Sequence, residues 1–225
     1  NGGVYVRQAK IGNPDLKPAT STNSNFGFIF SDDIQKFTLD YWKIDFKDRI
    51  VLQSPQALLD QDPNGPSITR NDIGDLVGVT TTYFNEESTM VSGVDFEYKR
   101  FFNLRDYGEL DFAIRGTNLI EFLTPDRNDV TCLALGCVQL IDRVGKFNFD
   151  SNTHALPENR INAFLNWKFN NYIFGMNARY IDGYRNNISI PQASIDRGYS
   201  NEVDSLLLFD LSVDLPLSDL FTIDT

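Results

Sequence analysis

The pattern around which the rest of the chain is organised lies between Leu156 and Gly183. Ile161, Ala163, Leu165, Trp167 and Phe169 alternate with Asn162, Phe164, Asn166 and Lys168. After Asn170-Asn171 the alternation resumes, with Tyr172, Phe174, Met176, Ala178 and Tyr180 set against Asn177 and Arg179. Successive side chains of a strand point to opposite faces, so two period-two runs around a short polar turn predict an antiparallel hairpin. One face is apolar and the other is charged or amide, with aromatics gathered at the turn.

The same rhythm recurs along the chain. Phe26, Phe28 and Phe30 alternate up to the turn Ser31-Asp32-Asp33, and Phe37, Leu39 and Tyr41 continue the face. The apolar phase then slips to Trp42, Ile44 and Phe46, against Lys43, Asp45 and Lys47, which predicts a bulge near Tyr41–Trp42 or a strand that has left the membrane. Val94, Phe96 and Tyr98 oppose Asp95, Glu97 and Lys99. Beyond the turn at Asn103, Leu110, Phe112 and Ile114 oppose Asp111 and Arg115. Leu207, Phe209, Leu211, Val213 and Leu215 oppose Asp210 and Asp214, and Phe221 with Ile223 starts another strand. Eight strands result, joined alternately by short turns and by long irregular stretches near residues 1–21, 52–82, 124–156 and 184–204.

Compact soluble domains rarely carry several loops of that length, whereas a large membrane barrel has short turns at one rim and long loops at the other. The aromatics Phe30, Phe37, Phe101, Phe102, Tyr107, Trp167, Phe169, Tyr172 and Phe221 flank short turns, where an interfacial girdle belongs. The expected fold is therefore all-β, part of a large antiparallel transmembrane barrel. A soluble β-sandwich, either a carbohydrate-binding module or a hydrolase, is the alternative, and a passive porin is a second one.

Composition narrows this picture. A formal net charge of -11 argues against nucleic-acid binding, which needs a basic surface. No apolar run is long enough for a spanning helix, a fact that leaves barrel strands untouched. The chain has no initiating Met and stops within a strand pattern, so we expect a piece of a longer barrel domain.

The segment Gly12-Asn13-Pro14-Asp15-Leu16-Lys17-Pro18 resembles the GNPxLKPE loop of TonB-dependent outer-membrane receptors, with Ala19 where Glu is usual. In that family a strand, a tight turn and a strand ending in KDxI follow, as Asp45-Phe46-Lys47-Asp48-Arg49-Ile50 does here. Val91-Ser92-Gly93-Val94-Asp95-Phe96-Glu97 resembles the family's SGVDFE strand, and Leu156-Pro157-Glu158-Asn159-Arg160 resembles its LPxxR approach to a late strand. The resemblance implies a barrel of about 22 strands closed by an N-terminal plug. It implies the outer membrane of a Gram-negative cell, in contact with lipid and lipopolysaccharide. It further implies TonB-energised uptake of a scarce bulky ligand (siderophore, cobalamin or oligosaccharide) with no enzymatic step and no cofactor. The plug, the early strands and the last strands would lie outside these residues.

Few residues carry chemistry of their own. Cys132 and Cys137 are close together in a long loop of an exported chain, so a local disulfide is expected. Asp60-Gln61-Asp62-Pro63-Asn64-Gly65 matches the first half of a calcium loop, but Asn71 stands where the bidentate Glu belongs. An ordinary turn explains Asp60, Asp62 and Asn64 better. His154 stands without a placed nucleophile. The charges Asp95, Glu97, Asp111, Arg115, Arg160, Arg179, Asp210 and Asp214 share the polar face. Paired carboxylates suit glycosidases, but a hydrated lumen accounts for them without catalysis. For ligand contacts, Tyr83, Tyr184, Arg185 and Tyr199 lie at or near loop ends and are the candidates.

Overall fold

A computed structural model describes residues 6–126, 139–148, 155–186, 190–218 and 221–223. The strands are β1 (Arg7–Ile11), β2 (Thr20–Ser31), β3 (Gln35–Leu52), β4 (Ile68–Arg70), β5 (Leu76–Asn103), β6 (Glu109–Pro125) and β7 (Leu140–Asp142). They continue as β8 (Asn159–Phe169), β9 (Tyr172–Ile181), β10 (Tyr184–Arg185), β11 (Glu202–Val203), β12 (Leu206–Ser218) and β13 (Phe221–Ile223). Among the described residues two short α-helices, α1 (Pro55–Gln61) and α2 (Gln192–Ile195), lie in the long connections.

The wall runs in the order β13-β12-β9-β8-β6-β5-β3-β2, so its strands are hairpin neighbours in sequence and in space. All these pairings are antiparallel. These are the eight strands that the alternation predicts. The barrel is not closed by these residues.

Register joins the alternating patterns into two surfaces, because residues directly opposite one another on an antiparallel pair point the same way. One row crosses the wall as Phe30, Phe37, Tyr98, Ile114, Ala163, Ala178 and Phe209. The row below reads Gln35, Arg100, Phe112, Leu165, Met176 and Leu211. The opposite face has Thr38, Glu97, Arg115, Asn162 and Arg179 in one row and Asp40, Asp95, Thr117 and Arg160 in the next.

Among the described residues, few apolar side chains are buried, Val79 and Val91 being the two. Phe26, Phe209 and Leu211 remain 78%, 60% and 73% exposed. A sandwich would cover such a face with a second sheet. Along β9 the apolar positions from Tyr172 to Tyr180 span about 27 Å of strand, or about 20 Å once tilted by ~40°, close to the height of a lipid-facing band.

The short-turn rim is built from aromatics, as expected. Trp167 stacks on Phe169 (5.6 Å between centroids) and on Phe174 (5.2 Å), and its indole Nε1 donates to the Tyr107 carbonyl at 2.8 Å. The turn between β5 and β6 brings Gly108 against the backbone of Lys168, at a φ of 87° that favours glycine. Phe101 departs from the girdle. It pairs with Asp111 and faces the polar side.

The expected bulge and the expected irregularity of the long stretches are also corrected. The register of β3 runs unbroken through Tyr41 and Trp42 on both of its neighbours, so no bulge lies there. The phase change reports surroundings instead. Above Tyr41 the outward face becomes Lys43, Asp45 and Lys47, while Trp42 turns inward over Gly93, whose missing side chain leaves room for the indole. The irregularity sits in β6, where Ser92 pairs Glu121 and Gly93 pairs Leu119, leaving Ile120 as the extra residue.

The stretches near residues 1–21 and 52–82 are also less irregular than their composition suggests. β3 continues to Leu52 and β5 begins at Leu76. Above the wall, β1 pairs parallel to Gly78–Thr82 while β4 pairs antiparallel to Leu76–Val79. Strands in water need no apolar period to keep their hydrogen bonds, so the alternation could not announce them. For the same reason β6 reaches Pro125 and pairs with β7 within the stretch near residues 124–156. In the stretch near 184–204, β10 pairs with β11.

Candidate functional site

The polar face of the wall is the first candidate surface. All eight of the charged residues expected there lie on it by register. The Arg179 guanidinium meets the Asp210 carboxylate at 3.1 Å, and Asn177 Nδ2 donates to the same oxygen at 3.3 Å. Lys99 pairs with Glu97 at 2.9 Å, Thr117 donates its hydroxyl to Asp95, and Arg115 lies 4.9 Å over the Phe164 ring. Near the short-turn rim a cavity of about 400 Å³ opens between Lys36, Lys99, Phe101, Asp111, Phe164 and Asn166. Charges of both signs interleave here. The surface suits contact with a polar body inside a lumen.

The loop ends form the second surface, and the structure brings only some of the candidates together. Tyr184 and Arg185 make β10, paired to Glu202–Val203, and Arg185 holds Glu202 at 2.8 Å. Phe147 stacks on Tyr184 at 6.2 Å with 18° between ring planes. Two backbone bonds tie these segments, Phe147 N–H to the Arg185 carbonyl and Arg185 N–H to the Gly145 carbonyl, both 2.8 Å. The loop after β6 is thus strapped to the loop after β9. Phe147 was not legible as a partner, because an aromatic in Gly145-Lys146-Phe147-Asn148 carries no period. Tyr199 lies apart, 66% exposed beyond α2. Tyr83 belongs to the other side of the wall, on β5 opposite Leu52, where its carbonyl accepts from Asn13 Nδ2 at 3.0 Å.

The acidic run resolves into local structure. Asp60 sits on α1 and accepts from Gln56 at 2.7 Å, while Asp62 closes the helix and accepts the Asn64 N–H at 3.1 Å. This is a helix end with an Asx turn, and among the described residues no group of three or more His, Cys, Asp or Glu could hold a metal ion. Cys132, Cys137 and His154 lie outside the described residues.

A buried polar cluster above the wall escaped the sequence reading. Arg49 donates to Glu86 through Nε (3.1 Å) and a terminal nitrogen (2.6 Å), and the Thr89 hydroxyl adds a third bond at 2.8 Å. Glu86 is 5% exposed, and the Arg49 guanidinium lies 5.9 Å over Phe122. Nearby, Arg143 Nε donates to the Thr124 hydroxyl at 2.9 Å and Asn148 Nδ2 donates to the Arg143 carbonyl at 3.0 Å. Charges at this depth hold only when paired. The cluster fixes the base of the long loops.

Asp182, just past β9 at the long-loop rim, closes the β8–β9 hairpin from above. Burial pushes its carboxyl up, but hydrogen bonds from the Tyr180 hydroxyl and from the Asn159 side chain and backbone outweigh this and hold it below its ordinary 3.8. A depressed carboxyl contributes stability that is present above the unfolded pKa and lost as pH falls through the folded one. We expect protection of the Asn159 amide in hydrogen exchange to be flat from neutrality to about pH 4 and to drop below it. In Asp182→Asn the acid-dependent drop should vanish; an unchanged profile would assign it to another group.

A sheet that is apolar on one face, charged on the other and rimmed by aromatics at its short turns is a segment of a transmembrane β-barrel wall. The chain belongs to the TonB dependent receptor-like β-barrel family, whose model matches residues 2–224. Among solved structures it resembles the ferric enterobactin receptor of Pseudomonas aeruginosa in complex with enterobactin, at 16% identity and a TM-score of 0.56, covering 93% of this chain and 26% of that one. The siderophore receptor PirA of Acinetobacter baumannii gives 16% identity and 0.55, covering 93% and 27%. The FrpB iron transporter of Neisseria meningitidis gives 13% and 0.53, covering 92% and 26%. At these identities the likeness is one of fold. The chain spans about a quarter of the length of these structures. No curated protein sequence matches it.

Proposed function

We propose that this chain is a wall segment of an outer-membrane receptor of a Gram-negative cell, a barrel of about 22 strands closed by an N-terminal plug and energised by TonB through that plug. The whole receptor takes up a bulky, scarce ligand of the siderophore, cobalamin or oligosaccharide class, and performs no chemistry on it. The observation that carries this reading is the pair of unbroken surfaces, with apolar rows such as Phe37–Tyr98–Ile114 outward and charged rows such as Glu97–Arg115 inward. The outward rows suit contact with lipid below and lipopolysaccharide above. The inward rows suit a plug and a passing ligand. The similar structures are a ferric enterobactin receptor, a siderophore receptor and an iron transporter by name, which makes a ferric chelate the first cargo to try.

The test is uptake by cells. A deletion strain should lose accumulation of a labelled ferric siderophore, regain it with the full-length gene, and lose it again on addition of a protonophore. Uptake that survives the protonophore would indicate a passive porin. If iron chelates fail, cobalamin and oligosaccharides are run through the same three arms, and failure of all would remove the transport reading.

A further inference from the structure

The outward face carries one residue out of keeping with its row. Arg100 follows Phe96 and Tyr98 and precedes Phe102 on the face of β5 that pairs Gln35 on one side and Phe112 on the other. Its guanidinium carbon lies 4.9 Å over the Phe102 ring, so the side chain leans along the outer surface toward the short-turn rim. Its Nε is shut off from water and has no hydrogen-bond partner among the described residues. It also forms no ion pair among them.

Asp32, whose carboxyl is held below its ordinary range first by the hydrogen bonds from Ile34 and Gln35 and only last by the Arg100 charge, is already committed. One Asp32 oxygen accepts the Ile34 and Gln35 N–H groups, both at 2.9 Å, and the other accepts Gln35 Nε2 at 3.0 Å. Gln35 in turn accepts the Tyr98 hydroxyl at 3.1 Å. Asp32, Gln35 and Tyr98 thus bond one another, and Arg100 shares in none of these bonds.

Its height on the wall says what it meets. The row below Arg100 is Phe102, Leu110, Trp167 and Phe174, the aromatic girdle of the short-turn rim. Aromatic belts lie at the level of lipid headgroups, and Arg100, leaning over Phe102, carries its charge down to that level from a row whose other members meet hydrocarbon. The anion available at that level is the phosphodiester of a phospholipid, and a guanidinium fork matches two phosphate oxygens at once. We propose that Arg100, flanked by Phe102 and Phe112, is a binding site for the phosphodiester headgroup of a phospholipid in the periplasmic leaflet. This rests on the reading that the outward face meets lipid and the short turns face the periplasm.

The test uses the full-length receptor in nanodiscs of phosphatidylglycerol mixed with a phosphate-free diacylglycerol, with bound lipid counted by native mass spectrometry after graded activation. Wild type should retain one phosphatidylglycerol more strongly than Arg100→Gln by about tenfold or more, the loss expected for one charge-assisted pair. Arg100→Lys should retain it at an intermediate level, because Lys keeps the charge and lacks the fork. Heat-modifiable migration checks that each variant has folded. A photo-crosslinking residue at Phe112 separates the two layers of the reading. Acyl-chain adducts there, with equal phosphatidylglycerol retention in wild type and Arg100→Gln, would overturn the headgroup site and leave the lipid-facing wall standing. Absence of acyl-chain adducts at Phe112 would overturn both.

Discussion

Leu165→Arg is expected to cost about 2–4 kcal/mol in barrel stability, and Asn166→Arg, one residue along the same strand, much less. Leu165 lies in the outward row between Phe112 and Met176, so a guanidinium there meets hydrocarbon. Asn166 lies on the opposite face between Asp111 and Gly175, where water and a carboxylate neighbour receive it. Phe174→Arg, which would remove a ring stacked on Trp167, should resemble Leu165→Arg in direction, with a smaller cost nearer the rim. Urea titration of the full-length protein folded into bilayers, followed by heat-modifiable migration, measures the difference. Equal costs at Leu165 and Asn166 would contradict the inside and outside assigned to the wall.

The second large effect concerns the cluster above the membrane band. Arg49→Ala should destabilise the base of the long loops by about 3–5 kcal/mol, the range found when one partner of a buried ion pair is removed. The reason is what is lost, since Glu86 is 5% exposed and the Arg49 guanidinium gives it two hydrogen bonds and the opposite charge. Replacing both partners with apolar residues, as in Arg49→Met with Glu86→Leu, should recover most of the loss because no charge is stranded. Limited proteolysis within residues 53–75 reads the outcome locally, while the gel mobility of the barrel reports whether the wall survives. A double variant as labile as Arg49→Ala would show that the pair's geometry, rather than the stranded charge, sets the stability.

The two effects divide the molecule by solvent. In the lipid-facing band the wall is stable because its outward residues are apolar and its backbone groups are paired across strands. Above the band, water returns and the loops need specific polar contacts, such as Arg49–Glu86, Arg143–Thr124 and the Phe147–Tyr184 stack.

Alternation in the sequence was enough to determine the eight wall strands, their antiparallel order, the two faces and the aromatic rim. Each depends on a period of two, which the strand backbone imposes on its own residues whatever it packs against. The carboxylates and arginines of the inward face were legible for the same reason. Tertiary structure decided the rest. Register placed the irregularity at Ile120 and turned Trp42 inward over Gly93, because a phase change in one strand looks alike whether a residue is added or the surroundings change. Only folding joined Arg49 to Glu86 and Phe147 to Tyr184, pairs that depend on how loops in water fall against one another. Arg100 shows the same division. Its place on the outward face follows from counting by twos from Phe96, but its lack of a partner followed from Asp32 being already taken by the turn.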